Sequence, residues 1–341
     1  MRQKITALHL ARRGQRVRNN FDLFRVLATR LALAAVAIAL AVLIRPAVAQ
    51  DSWATVSSTP VHRFDLAVVA GPDGRIYAIG GNYTGDYRPI NHVEAYDPAT
   101  DNWTAVCPIR IARGGPAAAV GLDGLIYVFG GHDRGNNPLN TVEAYNPATD
   151  TWAAKAPMPT ARAFLAAATG ANGRIYAMGG SISPGFGMDT VEEYNPATDT
   201  WATMTPMPTG RYVLAAVRLG ADNRLYAIGG AGGGALSRNT VEAYDPATDT
   251  WTAAAPLSIG RYNPAAAVGP NGRLYVMGGE NEGALSSVEV YDPATGWSAA
   301  APMPTPRYNL GAATGSDGRI YAVAGYDDVR PISNAVEAYT P

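Results

Sequence analysis

The sequence contains few of the residues that crosslink a protein, bind metals or span a membrane. Its single cysteine, Cys107, has no partner for an internal disulfide, so stability must come from a packed core. An apolar content of 47% can supply that core. The longest uncharged apolar run, Leu31 to Ile44, has 14 residues, fewer than the roughly 20 that a membrane-spanning helix needs.

The first fifty residues differ from the rest. They hold nine basic residues and one acid, followed by the apolar run and then Ala47-Val48-Ala49. This order predicts an export signal peptide over residues 1–49, cut after Ala49. The alternative is a retained signal anchor, because Arg30 and Arg45 bracket the run. We expect an extracellular, periplasmic or cell-surface protein that touches a membrane only through an uncleaved anchor.

Charge after residue 50 argues against nucleic-acid binding. Nine of the 27 basic residues and one of the 28 acidic residues precede that point, which leaves 18 basic, 27 acidic and a net charge of −9. The only lysine there is Lys155. An acidic surface lacks the electrostatic footprint that binds phosphate backbones.

A sequence unit of about fifty residues occurs six times. A typical copy starts with an arginine followed by a small-residue segment, and then has an Asp/Asn-Gly turn, a Gly-Gly pair, Val-Glu-x-Tyr and a tryptophan. The fourth copy has Asp222-Asn223 at the turn, and the sixth has Ala324-Gly325 in place of Gly-Gly and no tryptophan of its own. Paired glycines allow close backbone approach, and small residues suit strands crowded around an axis. The pattern predicts four antiparallel strands per repeat. The repeat arginines are Arg63, Arg113, Arg162, Arg211, Arg261 and Arg307.

The positions of the tryptophans predict how the ring closes. Trp53 precedes the first arginine, whereas the last repeat ends at Pro341 without a tryptophan strand. We therefore expect Asp51 to Val56 to form the outer strand of the last blade and so remove an open edge. The fold class is all-β, a single six-bladed propeller over residues 50–341, closed by the N-terminal strand. We expect a monomer.

Gly-Gly, Val-Glu-x-Tyr-Asp/Asn-Pro and tryptophan at this period resemble the kelch repeat over residues 51–341. This resemblance implies a β-propeller but no activity, because kelch proteins include adaptors, actin binders and a few enzymes.

Alternation of strand direction places six dissimilar loops and the repeat arginines on one face, where recognition is expected. The arginines could gather an anionic carbohydrate or peptide, as they do in some kelch adaptors that bind acidic peptides. The alternative is that each arginine pairs internally with the glutamate of Val-Glu-x-Tyr.

Three arginines are followed by tyrosine, which gives the candidate ligand contacts Arg211, Tyr212, Arg261, Tyr262, Arg307 and Tyr308. These tyrosines could instead be core between blades. Arg88 and Arg330 lie in the loops of blades one and six and are further candidates for contacting an anion, unless they are solvated loop charges.

The sequence gives no reason to assign catalytic residues, a metal or a cofactor. His62, His92 and His132 map to one face, but no dense ligand motif accompanies them. The main hypothesis is an exported recognition module that binds a protein or a glycan. The alternative is a sugar-acid mutarotase, because exported N-acetylneuraminate epimerases resemble this chain. An unpaired Glu280 or Glu282 with a raised pKa, beside Arg261 or Arg307, would favour the enzyme.

Overall fold

A computed structural model describes residues 51–83, 85–183, 185–328 and 333–341. The predicted export segment, residues 1–49, therefore lies outside the described residues and stays a prediction. The described part is all β, as the repeat pattern predicts, and none of its residues lies in a helix long and apolar enough to cross a membrane.

The described part of the chain forms 26 strands. In order they are β1 (Ser52–Val56), β2 (Arg63–Phe64), β3 (Ala67–Ala70), β4 (Ile76–Ile79), β5 (Asn82–Tyr83), β6 (Val93–Asp97), β7 (Asn102–Ala105), β8 (Ala117–Val120), β9 (Ile126–Phe129), β10 (Val142–Asn146), β11 (Thr151–Lys155), β12 (Ala166–Thr169), β13 (Ile175–Met178), β14 (Val191–Asn195), β15 (Thr200–Met204), β16 (Ala215–Arg218), β17 (Leu225–Ile228), β18 (Val241–Asp245), β19 (Thr250–Ala253), β20 (Ala265–Val268), β21 (Leu274–Met277), β22 (Val288–Asp292), β23 (Gly296–Ala300), β24 (Gly311–Thr314), β25 (Ile320–Val323) and β26 (Val336–Thr340).

Twenty-four of these strands form six four-stranded antiparallel sheets, the blades, and β2 and β5 pair separately. Blade one is β3-β4-β6-β7, blades two to five follow as β8–β11, β12–β15, β16–β19 and β20–β23, and blade six is β24-β25-β26-β1. The innermost strands contact one another in the order β3, β8, β12, β16, β20, β24 and back to β3. The blades therefore close into the predicted six-bladed propeller.

Burial explains the repeat pattern. All four residues of the second strand of every blade, such as Ile126–Phe129, are buried because neighbouring blades cover both faces of the strand. Around the axis the innermost strands come close together and need small residues. At the seam between blades six and one, a Cβ added to Gly311 would overlap the Val68 side chain, so this approach requires glycine.

The ring closes as predicted from the tryptophans. β1 pairs antiparallel with β26, and Trp53 lies opposite Tyr339. The indole Nε1 of Trp53 donates to the Ala301 carbonyl of blade five at 2.8 Å, and its ring lies 5.1 Å from that of Tyr339. The two ends of the described chain therefore share one blade.

A tyrosine, an aspartate and a tryptophan join successive blades. In blade three the Asp199 carboxylate accepts from the Tyr194 hydroxyl at 2.6 Å and from the Ala156 amide of blade two at 2.8 Å. Trp201 then donates to the Ala156 carbonyl at 2.9 Å. In blade six Asp51 fills the aspartate's position, because it accepts from the Tyr339 hydroxyl and from the Ala301 amide.

Substituting Trp53 with alanine tests the closure, and Trp201→Ala is the matched internal control. Each change removes a partly buried indole and its inter-blade hydrogen bond, so each is expected to lower the free energy of unfolding by about 2–4 kcal/mol. Chemical denaturation of the purified protein measures both losses. Deleting residues 50–57 should remove the whole strand and produce an aggregation-prone protein.

If Trp53→Ala leaves the free energy of unfolding almost unchanged while Trp201→Ala lowers it by several kcal/mol, strand β1 is dispensable for closure. A deletion variant that unfolds at the same temperature as the intact protein would contradict the closure directly.

Candidate functional site

A second tier of short pairings lies above the propeller on the face that carries the variable loops, the mouth face. In blade one, β2 and β5 pair Phe64 with Asn82. The matching positions elsewhere form single antiparallel bridges: Gly114 with His132, Ala163 with Ser181, Tyr212 with Ala231, Tyr262 with Glu280, and Tyr308 with Tyr326. The residue after each repeat arginine therefore lies beside the first residue of its variable loop.

The six repeat arginines lie below this tier and are fully buried; we call them the arginine ring. In five blades the guanidinium contacts the glutamate of its own blade at 2.6 to 2.9 Å, and Arg63 pairs with Glu94. The glutamate in turn bonds the link from the preceding blade, as Glu192 does by accepting from the Thr160 hydroxyl at 2.7 Å.

Each ring arginine also holds the base of one loop. Arg113 Nη1 donates to the carbonyl of Gly130, just before the loop of blade two, at 2.9 Å, and to that of Thr141, just after it, at 3.0 Å. Arg261 does the same with Gly278 at 2.8 Å and Ser287 at 2.9 Å. One guanidinium therefore fixes both ends of a loop whose sequence is free to vary.

These placements match the internal-pair alternative and correct part of the sequence-based site. Arg211, Arg261 and Arg307 have no exposed surface, and their guanidinium groups are occupied by carbonyls and by Glu242, Glu289 and Glu337. A ligand on the mouth face cannot reach them without separating a buried charge from its partner. We assign these three arginines to the framework rather than to the ligand surface.

The residues two positions after the ring arginines surround the propeller axis. All six have positive φ: Asp65, Gly115, Phe164, Val213, Asn263 and Asn309. Their backbones are hydrogen-bonded in sequence, for example from the Phe164 amide to the Gly115 carbonyl and from the Val213 amide to the Phe164 carbonyl, both at 2.8 Å. We call these six residues the floor of the mouth face; all of them except Asn309 line a cavity of about 110 Å³.

Asp65 carries a carboxyl group into this floor without a cation beside it. Its two oxygens accept from the Asn263 amide of blade five at 3.1 Å and from the Asn82 amide of blade one at 3.2 Å. Burial raises the pKa of Asp65 to about 7, against the lowering effect of the two amides. The group is therefore poised to gain or lose a proton near neutral pH.

Asn82 connects this carboxyl group to His132 of blade two. Its amide lies 3.5 Å from His132 Nε2, and its Oδ1 is buried with no hydrogen-bond partner among the described residues. Burial lowers the pKa of His132, which keeps the imidazole neutral. Gly114 makes the approach possible, because a Cβ there would overlap both Asn82 Oδ1 and His132 Nε2.

Aromatic rings surround the floor. Tyr212 and Tyr262, both predicted contacts, meet edge to face with centroids 6.2 Å apart. Tyr308 packs on Tyr326 at 5.1 Å. All three predicted tyrosines are only partly buried, so they lie on the mouth face and are not enclosed core. Burial first, and then the charge of Asp65, raises the pKa of Tyr262, so its hydroxyl stays protonated and able to donate.

A cavity of about 380 Å³ opens between blades two and five; we call it the mouth cavity. Its lining includes Tyr212, Tyr262 and Phe164 as aromatic surfaces and Ser181 and His132 as polar groups. The size falls in the range of small-molecule sites. With His132 neutral, none of the described lining residues carries a full charge.

Glu280 lies at the edge of the floor, beside Tyr262 and Tyr308. Burial and then the charge of Asp328 raise its pKa, and its carboxyl group has no hydrogen-bond or ion-pair partner among the described residues. The sequence-based criterion for an enzyme placed such a glutamate beside Arg261 or Arg307, but both arginines are buried below it. Glu282 is exposed, at positive φ.

The remaining predicted ligand contacts are Arg88 and Arg330, on the loops of blades one and six. Arg88 is exposed and its Nε lies 3.3 Å from Asp86. Arg330 lies outside the described residues, so its contact with an anion stays a prediction. Within the described part of the chain no group of three or more His, Cys, Asp or Glu residues is arranged to hold a metal ion.

Sequence reasoning missed Asp65, Asn82, Phe164 and Asn263. Their positions could have been identified from the repeat, because each lies two residues after a ring arginine or directly after Gly-Gly. At these positions the residue type differs from one repeat to the next, and that difference could have marked them as candidate site residues.

The geometry defines a kelch-type six-bladed β-propeller with a recessed, aromatic-lined mouth. The family model of the Attractin/LZTR1 beta-propeller matches residues 39–289, and the chain belongs to that family. No curated protein matches the chain. Among solved structures, that of YjhT is similar with a TM-score of 0.68 and 18% identity, over 82% of this chain and 95% of that one, a likeness that concerns the fold alone.

Replacing Arg211 with methionine tests the framework role of the ring. The change leaves Glu242 buried without its partner, so the free energy of unfolding should fall by about 3–5 kcal/mol. Arg211→Met combined with Glu242→Leu should recover part of that loss. The control is Arg218→Met, at an exposed position of the same blade, which should change stability by less than about 0.5 kcal/mol. Equal effects at the two arginines would contradict the assignment.

Asp65 should make stability depend on pH. Because its folded pKa is raised from 3.8 to about 7, the native protein holds a proton that the unfolded chain releases, and stability falls as the pH rises through that window. Asp65→Asn removes this loss. The melting temperature of the variant relative to the original should therefore rise by a few degrees between about pH 5 and about pH 8.

The control for that measurement is Asp86→Asn, which neutralises an exposed loop carboxylate. If the Asp65→Asn difference stays constant with pH, the carboxyl group is not protonated in this window and the assignment fails.

Proposed function

We propose that this chain is an exported recognition module that binds a neutral, hydroxyl-rich ligand, such as the terminal sugar of a glycan, in the mouth cavity. The observation that carries the proposal is the lining. Aromatic faces of Phe164, Tyr212 and Tyr262 flank a space of about 380 Å³ that also holds hydroxyl and imidazole groups. Sugars present apolar C–H faces to aromatic rings and hydroxyl groups to polar ones.

The expected anionic ligand finds less support at this position. With the arginine ring buried, the described residues that line the mouth cavity include no guanidinium, while Asp65 and Glu280 lie near Tyr262 of the lining. A carboxylate or phosphate would lose its hydration without gaining a charged partner. A neutral ligand avoids that cost. The Tyr262 hydroxyl, which stays protonated because burial raises its pKa, can donate to it.

Exposed apolar side chains on the surrounding loops support recognition of a larger molecule that carries the sugar. Tyr87 is 59% exposed, Ile182 55%, Phe186 71% and Leu236 80%, all on the mouth face. Exposed large apolar residues grouped on one face are typical of interaction surfaces. A glycan attached to a protein would meet both the cavity and these loops.

A binding screen tests the proposal. Saturation-transfer NMR and titration calorimetry against neutral monosaccharides should detect binding, and Tyr212→Ala and Phe164→Ala should each weaken it by about tenfold. The matched control is Tyr87→Ala, which removes an exposed tyrosine of the same face that does not line the mouth cavity. Equal weakening by all three changes, or no binding of any neutral sugar, would contradict the proposal.

A second candidate, a sugar-acid mutarotase, is favoured by the unpaired Glu280 with its raised pKa. A carboxyl group that titrates nearer neutral pH can act as a general acid or base. The same NMR samples distinguish the candidates. Accelerated exchange between the anomers of a sugar acid, lost in Glu280→Gln, would establish the enzyme, whereas binding without acceleration supports the module.

A further inference from the structure

A second cavity, of about 500 Å³, lies on the outer part of the mouth face at blade one; we call it the rim cavity. Three separate segments build it: the link before blade one, the loop of blade one and the loop of blade two. Its lining consists of Pro60, Val61, His62, Tyr83, Asp86, Arg88, Pro89, Ile90, His92 and Arg134. None of these residues lines the mouth cavity.

The backbone of the rim cavity is firmly held. The Tyr83 amide donates to the Arg88 carbonyl at 2.8 Å, which closes the tip of the blade-one loop. Farther along, the Ile90 amide donates to the Gly81 carbonyl at 2.9 Å, and the Ile90 carbonyl accepts from the Arg113 amide at 3.2 Å. The charged side chains therefore project from a fixed loop base.

Positive charge is concentrated here. Arg88 and Arg134 both line the cavity, and so do two of the four histidines of the chain, His62 and His92. Asp86 is the one acid among the described lining residues; its Oδ2 lies 3.3 Å from Arg88 Nε, and its Oδ1 accepts from the Arg88 amide at 3.3 Å. The side chains of Arg134, His62 and His92 have no hydrogen-bond or ion-pair partner among the described residues.

The neighbouring acid does not neutralise Arg134. Asp133 directs its Oδ1 back to its own turn, accepting from the Gly135 amide at 2.8 Å and the Asn137 amide at 2.9 Å. Those backbone bonds hold the pKa of Asp133 below its usual range. The carboxylate keeps its negative charge, but among the described residues it forms no ion pair with the Arg134 guanidinium.

We propose that the rim cavity binds a tetrahedral oxyanion, a sulfate or phosphate group carried by a small molecule or a sugar. Two guanidinium groups from neighbouring blades provide planar donor pairs, the geometry that suits such oxygens. Two imidazoles add further ring N–H donors. The site lies in a chain segment with a net charge of −9, so its local positive charge is set by this arrangement and not by the overall composition. It does not depend on the function proposed for the mouth cavity.

Titration of the purified protein with inorganic sulfate and inorganic phosphate tests this site. Calorimetry should detect binding that weakens with added sodium chloride. Replacing both Arg88 and Arg134 with alanine should weaken that binding by at least about tenfold. The control replaces Arg174 and Arg218 with alanine, which removes the same charge from partly or fully exposed positions of blades three and four, and should change the affinity by less than about twofold.

Histidine resonances locate the bound ion independently. With only His9, His62, His92 and His132 in the chain, the imidazole signals are few enough to assign by single substitutions. Phosphate or sulfate should shift the signals of His62 and His92 and leave that of His132 unchanged. Equal loss of affinity in the two double variants, shifts confined to His132, or no binding of either ion would overturn the site.

Glucose 6-phosphate and glucose 6-sulfate, added in parallel, distinguish a free ion from one carried by a sugar. Tighter binding of either ester than of its inorganic ion, lost in the Arg88/Arg134 variant, supports the sugar-borne form. If all four probes bind equally, the site recognises the oxyanion alone.

Discussion

A buried guanidinium at the entry of each blade fixes where the variable loops leave the propeller. Each ring arginine donates through one nitrogen to the carbonyls at the two ends of its loop, as Arg162 does to Gly179 at 2.8 Å and to Thr190 at 3.0 Å. The same group pairs with the glutamate of the third strand, which in turn holds the preceding link. Loop attachment, blade packing and charge compensation therefore depend on one side chain per repeat. A loop sequence can change completely while its two ends stay in place, which makes the mouth face suitable for recognition.

Closure of the ring relies on the same inter-blade contact that joins the other blades. Asp51 has a φ of 60°, close to the 52° of Asp101 and of Asp150, and its carboxylate makes the same contacts as theirs. The N-terminal strand therefore brings a complete copy of the inter-blade contact to a blade that otherwise ends without one. In blade five the inter-blade contact lacks the aspartate and keeps only the tryptophan hydrogen bond. Its turn is one residue shorter and has Gly296 before the tryptophan, yet Trp297 still donates to the Ala255 carbonyl at 2.7 Å.

The sequence predicted the features that all six repeats share, but few of the contacts made by residues that differ between repeats. Six copies in register determine strand order, turn positions and closure, because every copy reports on the same physical requirement. The mouth floor combines positions that differ from copy to copy, and its contacts cross the axis. Asn263 of blade five and Asp65 of blade one are nearly two hundred residues apart, yet they are joined at 3.1 Å. No local pattern carries that contact. The positive φ of Phe164 and Val213 also could not be predicted from the sequence, because bulky and β-branched residues rarely adopt that conformation.

The arginine ring also determines where positive charge is available on the mouth face. This distribution is the reason for proposing a neutral ligand in the mouth cavity and an anion in the rim cavity. Six of the 18 basic residues after residue 50 are buried in the arginine ring, so a third of the positive charge serves the fold. The other basic residues that the structure describes lie on loops, turns or the outer strand β11, except Arg218, which is exposed at the end of the innermost strand β16. The floor, by contrast, holds Asp65, with its pKa raised by burial, beside neutral amides and tyrosine hydroxyls. The ligand proposed for the mouth cavity is neutral because the described residues that line the cavity include no arginine or lysine. The oxyanion proposed for the rim cavity would meet Arg88 and Arg134, which project from loops whose ends the ring arginines hold in place.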